Sequence, residues 1–375
     1  MKQRAAPPFG GFSRHVSRPF AGRQWGLLRA LLGGRAPTTT HPAPRRSGQP
    51  RPLILPLALS LPLLLAGCAD FTDLLGQKGP PRQSLRPVPR AEGLAQPQVA
   101  SVESRLLAAH YAEAQTRDLA RGLLRMDGGG GADTTYDRAD LVRNFERIAF
   151  YSEHRQGDGL EPGDDMPGQL LRWQQPVRMR VEFGASVPEA TRDDDRAVLR
   201  GYVRRLSRAT GHAMSLGTGN GGNFHVLVMG EDDRAEATER LRALVPNLSA
   251  RTLNTLRTLP RDVPCLVMGF AGAGNPATYD RAVALVRAEL PELMRRACFH
   301  EEIAQGLGLR NDSLAARPSI FNDDGEFALL TVQDEAMLRI LYDARLRPGM
   351  SLDEAHPIIE EIAAELMPAP EGTEL

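Results

Sequence analysis

The chain has 375 residues, 42% of them apolar and 25% charged, which is enough to bury a core of one or two domains. Its formal net charge of zero conceals an asymmetry: residues 1–67 hold ten Lys or Arg and no Asp or Glu, leaving 36 basic against 46 acidic groups in residues 68–375. An acidic body argues against a nucleic-acid partner, since such binders need basic surface to displace the counterions of the phosphates.

In chain order, residues 1–67 come first as a basic leader. Arg45, Arg46 and Arg51 precede an apolar run from Leu53 to Leu65 that ends in Leu65-Ala66-Gly67-Cys68. The run is too short to cross a bilayer, and small residues before a cysteine suit signal cleavage followed by acylation, so Cys68 is the expected lipidation site. Pro52, Pro56 and Pro62 disfavour the alternative of a buried helix. The expected location is the bacterial cell envelope, anchored to a membrane and facing the periplasm; Ala69 after the cysteine favours the outer membrane.

Residues 68–97, rich in Pro, Gly, Gln and Arg, are expected to form a flexible tether. A helix is predicted within 98–126, where Val102, Leu106, Ala109, Ala112, Leu119 and Leu123 keep helical spacing. Four glycines at 128–131 end it, and with no Gly-Lys-Ser/Thr following, a hinge over 127–137 is expected rather than a phosphate loop. The main domain is expected over 138–366, opening with a helical stripe of Leu141, Phe145, Ile148 and Tyr151.

Within it, VRMRVEF at 177–183 alternates apolar and charged residues as a half-buried strand does. Helices are expected over 193–210, 232–244, 278–290 and, after Pro291, 292–307; strands are expected at 224–229 (FHVLVM) and 265–270 (CLVMGF). The fold class is therefore α/β or α+β with a small twisted mixed sheet and C-terminal helices. FHVLVM is the candidate sheet edge. In an oxidising compartment Cys265 and Cys298 are expected to pair, the alternative being two separate buried thiols.

The stretch Glu301–Ser313, EEIAQGLGLRNDS, has the spacing of a zinc-protease helix: two ligand positions four residues apart, an acid after the first, then a glycine turn leading to a third ligand. It resembles a degenerate metzincin, with Glu301, Gln305 and Asn311 at the ligand positions and Glu302 at the general-base position. Pro318-Ser319-Ile320-Phe321-Asn322 is similar to the turn beneath the metal of the matrixin branch, with Phe321 in place of Met. Leu330-Thr331-x-x-Asp334 is similar to the start of its last helix. Cys298-Phe-His-Glu-Glu, RPSIFNDD at 317–324 and LYDARLRPGM at 341–350 resemble a family of proteobacterial lipoproteins known as domain of unknown function 2927, which implies an envelope protein and supplies no activity.

Zinc favours His and Cys, so this oxygen-rich set is not expected to hold it; no cofactor is expected, although the oxygens leave a hard divalent cation open. The first reading is a fold retained without catalysis, in which Gln305, Asn311, Asp312 and Asn322 form a polar network around Glu301 in place of metal. It would act as a binding or scaffolding module for an extended peptide or an envelope protein, with Glu302 a solvated acid. The alternative is a metal-dependent hydrolase with Glu302 as general base. A third reading, a structural lipoprotein of unrelated fold, requires the SIFN turn to lie far from the EEIAQ helix.

Overall fold

The computed structural model describes residues 12–15, 99–152, 165–218, 221–272 and 274–368. The lipidation expected at Cys68, the leader cleavage and the tether fall outside these residues. In chain order the elements are β1 (Phe12–His15), α1 (Val102–Ala120), α2 (Arg138–Phe150), β2 (Arg172–Trp173), β3 (Val177–Phe183), α3 (Glu189–Thr210), β4 (Met214–Leu216) and β5 (Phe224–Met229). They continue with α4 (Arg234–Leu244), α5 (Ala250–Arg257), β6 (Cys265–Gly272), β7 (Asn275–Arg287), α6 (Glu292–Leu307), α7 (Val332–Tyr342) and α8 (Leu352–Leu366). None of the described helices is long and apolar enough to cross a membrane.

The strands form one mixed sheet in the order β1-β6-β7-β5-β3-β4, with β2 paired to the first part of β7. Neighbours among β3, β4, β5 and β7 run parallel, whereas β6 is antiparallel to β7 and β1 antiparallel to β6. Apolar side chains fill both faces. Val226, Val228, Val267, Ala282, Ala284 and Val286 belong to the larger core with α2, α3, α6, α7 and α8. Their neighbours in sequence, Leu227, Met268, Val283 and Leu285, join α4 and α5 in a second core on the opposite face.

Burial on both faces accounts for two departures from the expectations above. FHVLVM is not an edge: β5 pairs with β3 on one side and β7 on the other, and all six of its residues are buried. A continuous apolar run is the signature of a strand covered on both faces, which is a central position. The segment expected as a helix over 278–290 is instead most of β7, because its Ala and Leu residues have good helix propensity but the slot between β5 and β6 imposes an extended chain.

The motif helix forms with its expected limits. Pro291 precedes it, and Gly308 follows at φ 132°, where a Cβ would stand 2.4 Å from the Leu171 carbonyl oxygen. Cys265, at the start of β6, and Cys298 in α6 form a disulfide with a Cα–Cα distance of 6.0 Å. Closing 33 residues of chain stabilises the fold by about 3–4 kcal/mol in the chain-entropy account.

Candidate functional site

α6 lies on β6 and β7 with α3 beside it, and is buried at every position from Met294 to Leu307 except Arg296. Hence Glu302, expected as a solvated acid, is 0% exposed. Helical spacing identifies which residues share a face but not how many faces a neighbouring fold covers, and here all of them are covered. A general base must reach a substrate proton, and full burial puts Glu302 out of such reach in this conformation.

Beyond α6, Gly308 turns the chain so that Arg310 and Asn311 reach the end of α2. Arg310 donates from Nε to the Ala149 carbonyl at 3.1 Å and from Nη2 to those of Phe150 at 3.2 Å and Gln169 at 2.9 Å. Asn311 Nδ2 donates to the carbonyls of Arg147 and Asp312, both at 3.1 Å. These donors satisfy the last carbonyls of α2, where positive charge is favoured. Arg310 was not singled out from the sequence, since its partners lie about 160 residues away and leave no local pattern.

The SIFN turn follows and returns to α6. Glu301, Ile320, Asn322 and Asp323 line one small cavity together with Leu124, Ala297 and Phe327. The turn and the motif helix are thus neighbours, contrary to the reading of an unrelated fold. Asn322 closes its own loop, Nδ2 donating to the Ala316 carbonyl at 3.0 Å. The rest of the turn is organised by Asp334, a buried carboxylate that accepts from Ser319 Oγ at 2.6 Å, from Ile320 N at 3.1 Å and from Thr331 N at 2.8 Å. Burial pushes its pKa up, opposed by these hydrogen bonds. Thr331 caps α7 in a reciprocal capping box with Asp334, and its hydroxyl also donates to the Pro318 carbonyl at 2.8 Å.

The histidines have structural places. His300 stacks on Tyr202 with ring centroids 3.9 Å apart, and its Nδ1 accepts from Leu330 N at 2.9 Å, so the ring is neutral with its proton on Nε2. Burial, followed by the charges of Arg205 and Arg296, pushes its pKa down to about 3. His225 pairs with Glu182 at 2.9 Å, and half-exposed His356 pairs with Glu146. A buried ion pair unforeseen from sequence joins α3 to α6: Arg295 Nε lies 2.8 Å from an Asp195 carboxylate oxygen, with both side chains buried. Among the described residues, no three His, Cys, Asp or Glu side chains converge in a group that could hold a metal ion.

A further element reaches this site from outside the expected domain. After α1, residues 123–132 lie along the segment 317–332. Leu124 N donates to Gly325 O at 3.0 Å, Arg125 N to Glu326 O at 2.7 Å, Ala328 N to Arg125 O at 2.9 Å and Val332 N to Gly128 O at 2.9 Å. Leu124, 3% exposed, reaches the cavity beside Glu301.

Among known proteins, no curated protein and no solved structure matches this chain. One family does, over residues 138–361, from the first residue of α2 into α8: the chain belongs to the family described as protein of unknown function, DUF2927.

Proposed function

We propose that the protein is a lipid-anchored envelope module that binds an extended peptide along the outer edge of β6. The anchor is Cys68, placed after the apolar run 53–65 by the leader's sequence. The observation that carries the binding reading is the edge itself. β6 is the antiparallel border of the domain, and its outer side is bonded by a four-residue strand, Phe12↔Phe270 to His15↔Val267 in register. An edge that accepts a strand from the leader offers main-chain hydrogen bonds to any extended segment, and cleavage before Cys68 would vacate it.

The succession of motif helix, glycine turn, SIFN turn beside Glu301 and capped helix α7 supports a metzincin-like arrangement whose ligand positions carry Glu301, Gln305 and Asn311. The oxygen chemistry of that set and the burial of Glu302 favour binding over hydrolysis. Two measurements test the reading. Radiolabelled palmitate should enter the wild-type protein in bacteria and not Cys68→Ser. In the processed protein, a synthetic peptide spanning residues 9–18 should slow amide hydrogen exchange in β6 and leave β4 unchanged; equal exchange with and without peptide removes the edge proposal.

A further inference from the structure

We propose that the groove between α6 and the segment 317–328 is a second peptide-recognition site, selective for an extended segment with leucine followed by arginine, and that the chain's own residues 123–131 are its resident ligand. This site is distinct from the β6 edge and stands whether or not that edge binds anything.

The placement of the arm gives the chemistry. Its backbone is bound as a peptide is, through a parallel bridge of Arg125 with Phe327 and the main-chain bonds from Leu124 to Gly128. Leu124 supplies the apolar anchor, enclosed by Ala297, Ile320 and Phe327, and the space left beside it is about 20 Å³, room for one water. Arg125 supplies the charge: its guanidinium lies 4.8 Å from the Phe327 ring centroid, and Nη1 is 2.9 Å from Glu326. Glu326 is shared with Arg317 at 2.6 Å, so the acceptor is itself fixed by a residue of the groove.

Three features mark the arm as an occupant and not as a wall. It lies outside the family region, which begins at Arg138. Leu124 takes φ +60°, uncommon for a residue with a side chain, so it is held in a conformation it would leave once free. Its other side-chain ion pairs, Arg125 with Asp127 and Asp133 at 2.7 Å each, lie within the arm and its flank and add no hold on the groove. An arm tethered in this way competes at an effective concentration on the order of millimolar, so an outside segment of the same chemistry displaces it only when it binds better or is itself held nearby.

The test uses the full chain and a fluorescent peptide of residues 121–133. Two variants release the arm by different means. Leu124→Asp places a charge in the apolar pocket, and Gly129→Val places a Cβ 2.5 Å from Pro318. Faster amide exchange at Ala328 and Val332 reports release. The expected result is that both released variants bind the wild-type peptide at least tenfold more tightly than the wild-type protein does, and that a peptide with Leu124→Asp or Arg125→Glu loses at least tenfold. Released arms with no gain in peptide binding would overturn the proposal. So would amides that stay protected in both variants, or variants that no longer melt cooperatively, since either result makes the arm a fixed part of the fold.

Discussion

The groove and the arm seated in it are held by different chemistry. On the domain side the polar contacts are buried: Arg295 ties α6 to Asp195 of α3, Asp334 organises the 317–334 segment through Ser319 and Thr331, and His300 ties α6 to Leu330 N. On the arm side, beyond the main-chain bonds, the side-chain contacts are largely exposed ion pairs around Arg125. Both sides look equally well bonded if contacts are simply enumerated. Burial decides their value, because a polar group withdrawn from water must keep its partner, whereas an exposed one exchanges its partner for water at little cost.

That contrast is broken or sharpened by three measurements. The largest effect is expected for Arg295→Met, which leaves Asp195 buried without its counter-charge and should cost about 3–5 kcal/mol in denaturant unfolding. The double variant Arg295→Met, Asp195→Leu should recover much of that loss. A single variant that is no less stable than wild type would show that the domain side is not held by this pair.

Next in size is the response to acid. The pKa of His300 is pushed down to about 3 in the fold, whereas an unfolded histidine titrates near 6.5, so between these values the unfolded chain binds more protons. Stability must therefore rise with pH across this window: as pH falls below about 6.5 it should decline, by up to about 1.4 kcal/mol per unit from this residue alone. His300→Phe keeps a ring against Tyr202, gives up the acceptor for Leu330 N, and should flatten that part of the profile. An unchanged slope in the variant would assign the acid response to other groups.

The smallest effect is expected for Arg125→Ala. Its three carboxylate partners are Asp127, Asp133 and Glu326, and the first two are more than half exposed. The midpoint of global unfolding should stay where it is, while amide exchange at Ala328 quickens, most visibly at low salt, where the wild-type ion pairs are least screened. A large drop in global stability would erase the distinction between the groove and its occupant.

What the sequence revealed follows the same division. α6 was legible to its ends because proline and glycine act locally, and β3 because one of its faces carries charge. β7 reads as a helix because burial on both faces removes the alternation that marks a strand, whereas β5 reads correctly as a strand and only its central position is missed. Within the site, Thr331 and Asp334 could be paired from a spacing of three residues, whereas Arg295 finds Asp195 across 100 residues and Arg310 finds α2 across about 160. The burial of Glu302 was invisible for the same reason: it depends on elements distant in sequence that come to surround α6.

The disulfide gives the border of the sheet a mechanical property. Because Cys265 opens β6 and is bonded to the middle of α6, a pull on a segment seated along β6 cannot strip that end of the strand away from β7 without hauling the central helix with it. Tension arriving at the rim of the domain is delivered by a covalent link to its centre, one turn from Glu301.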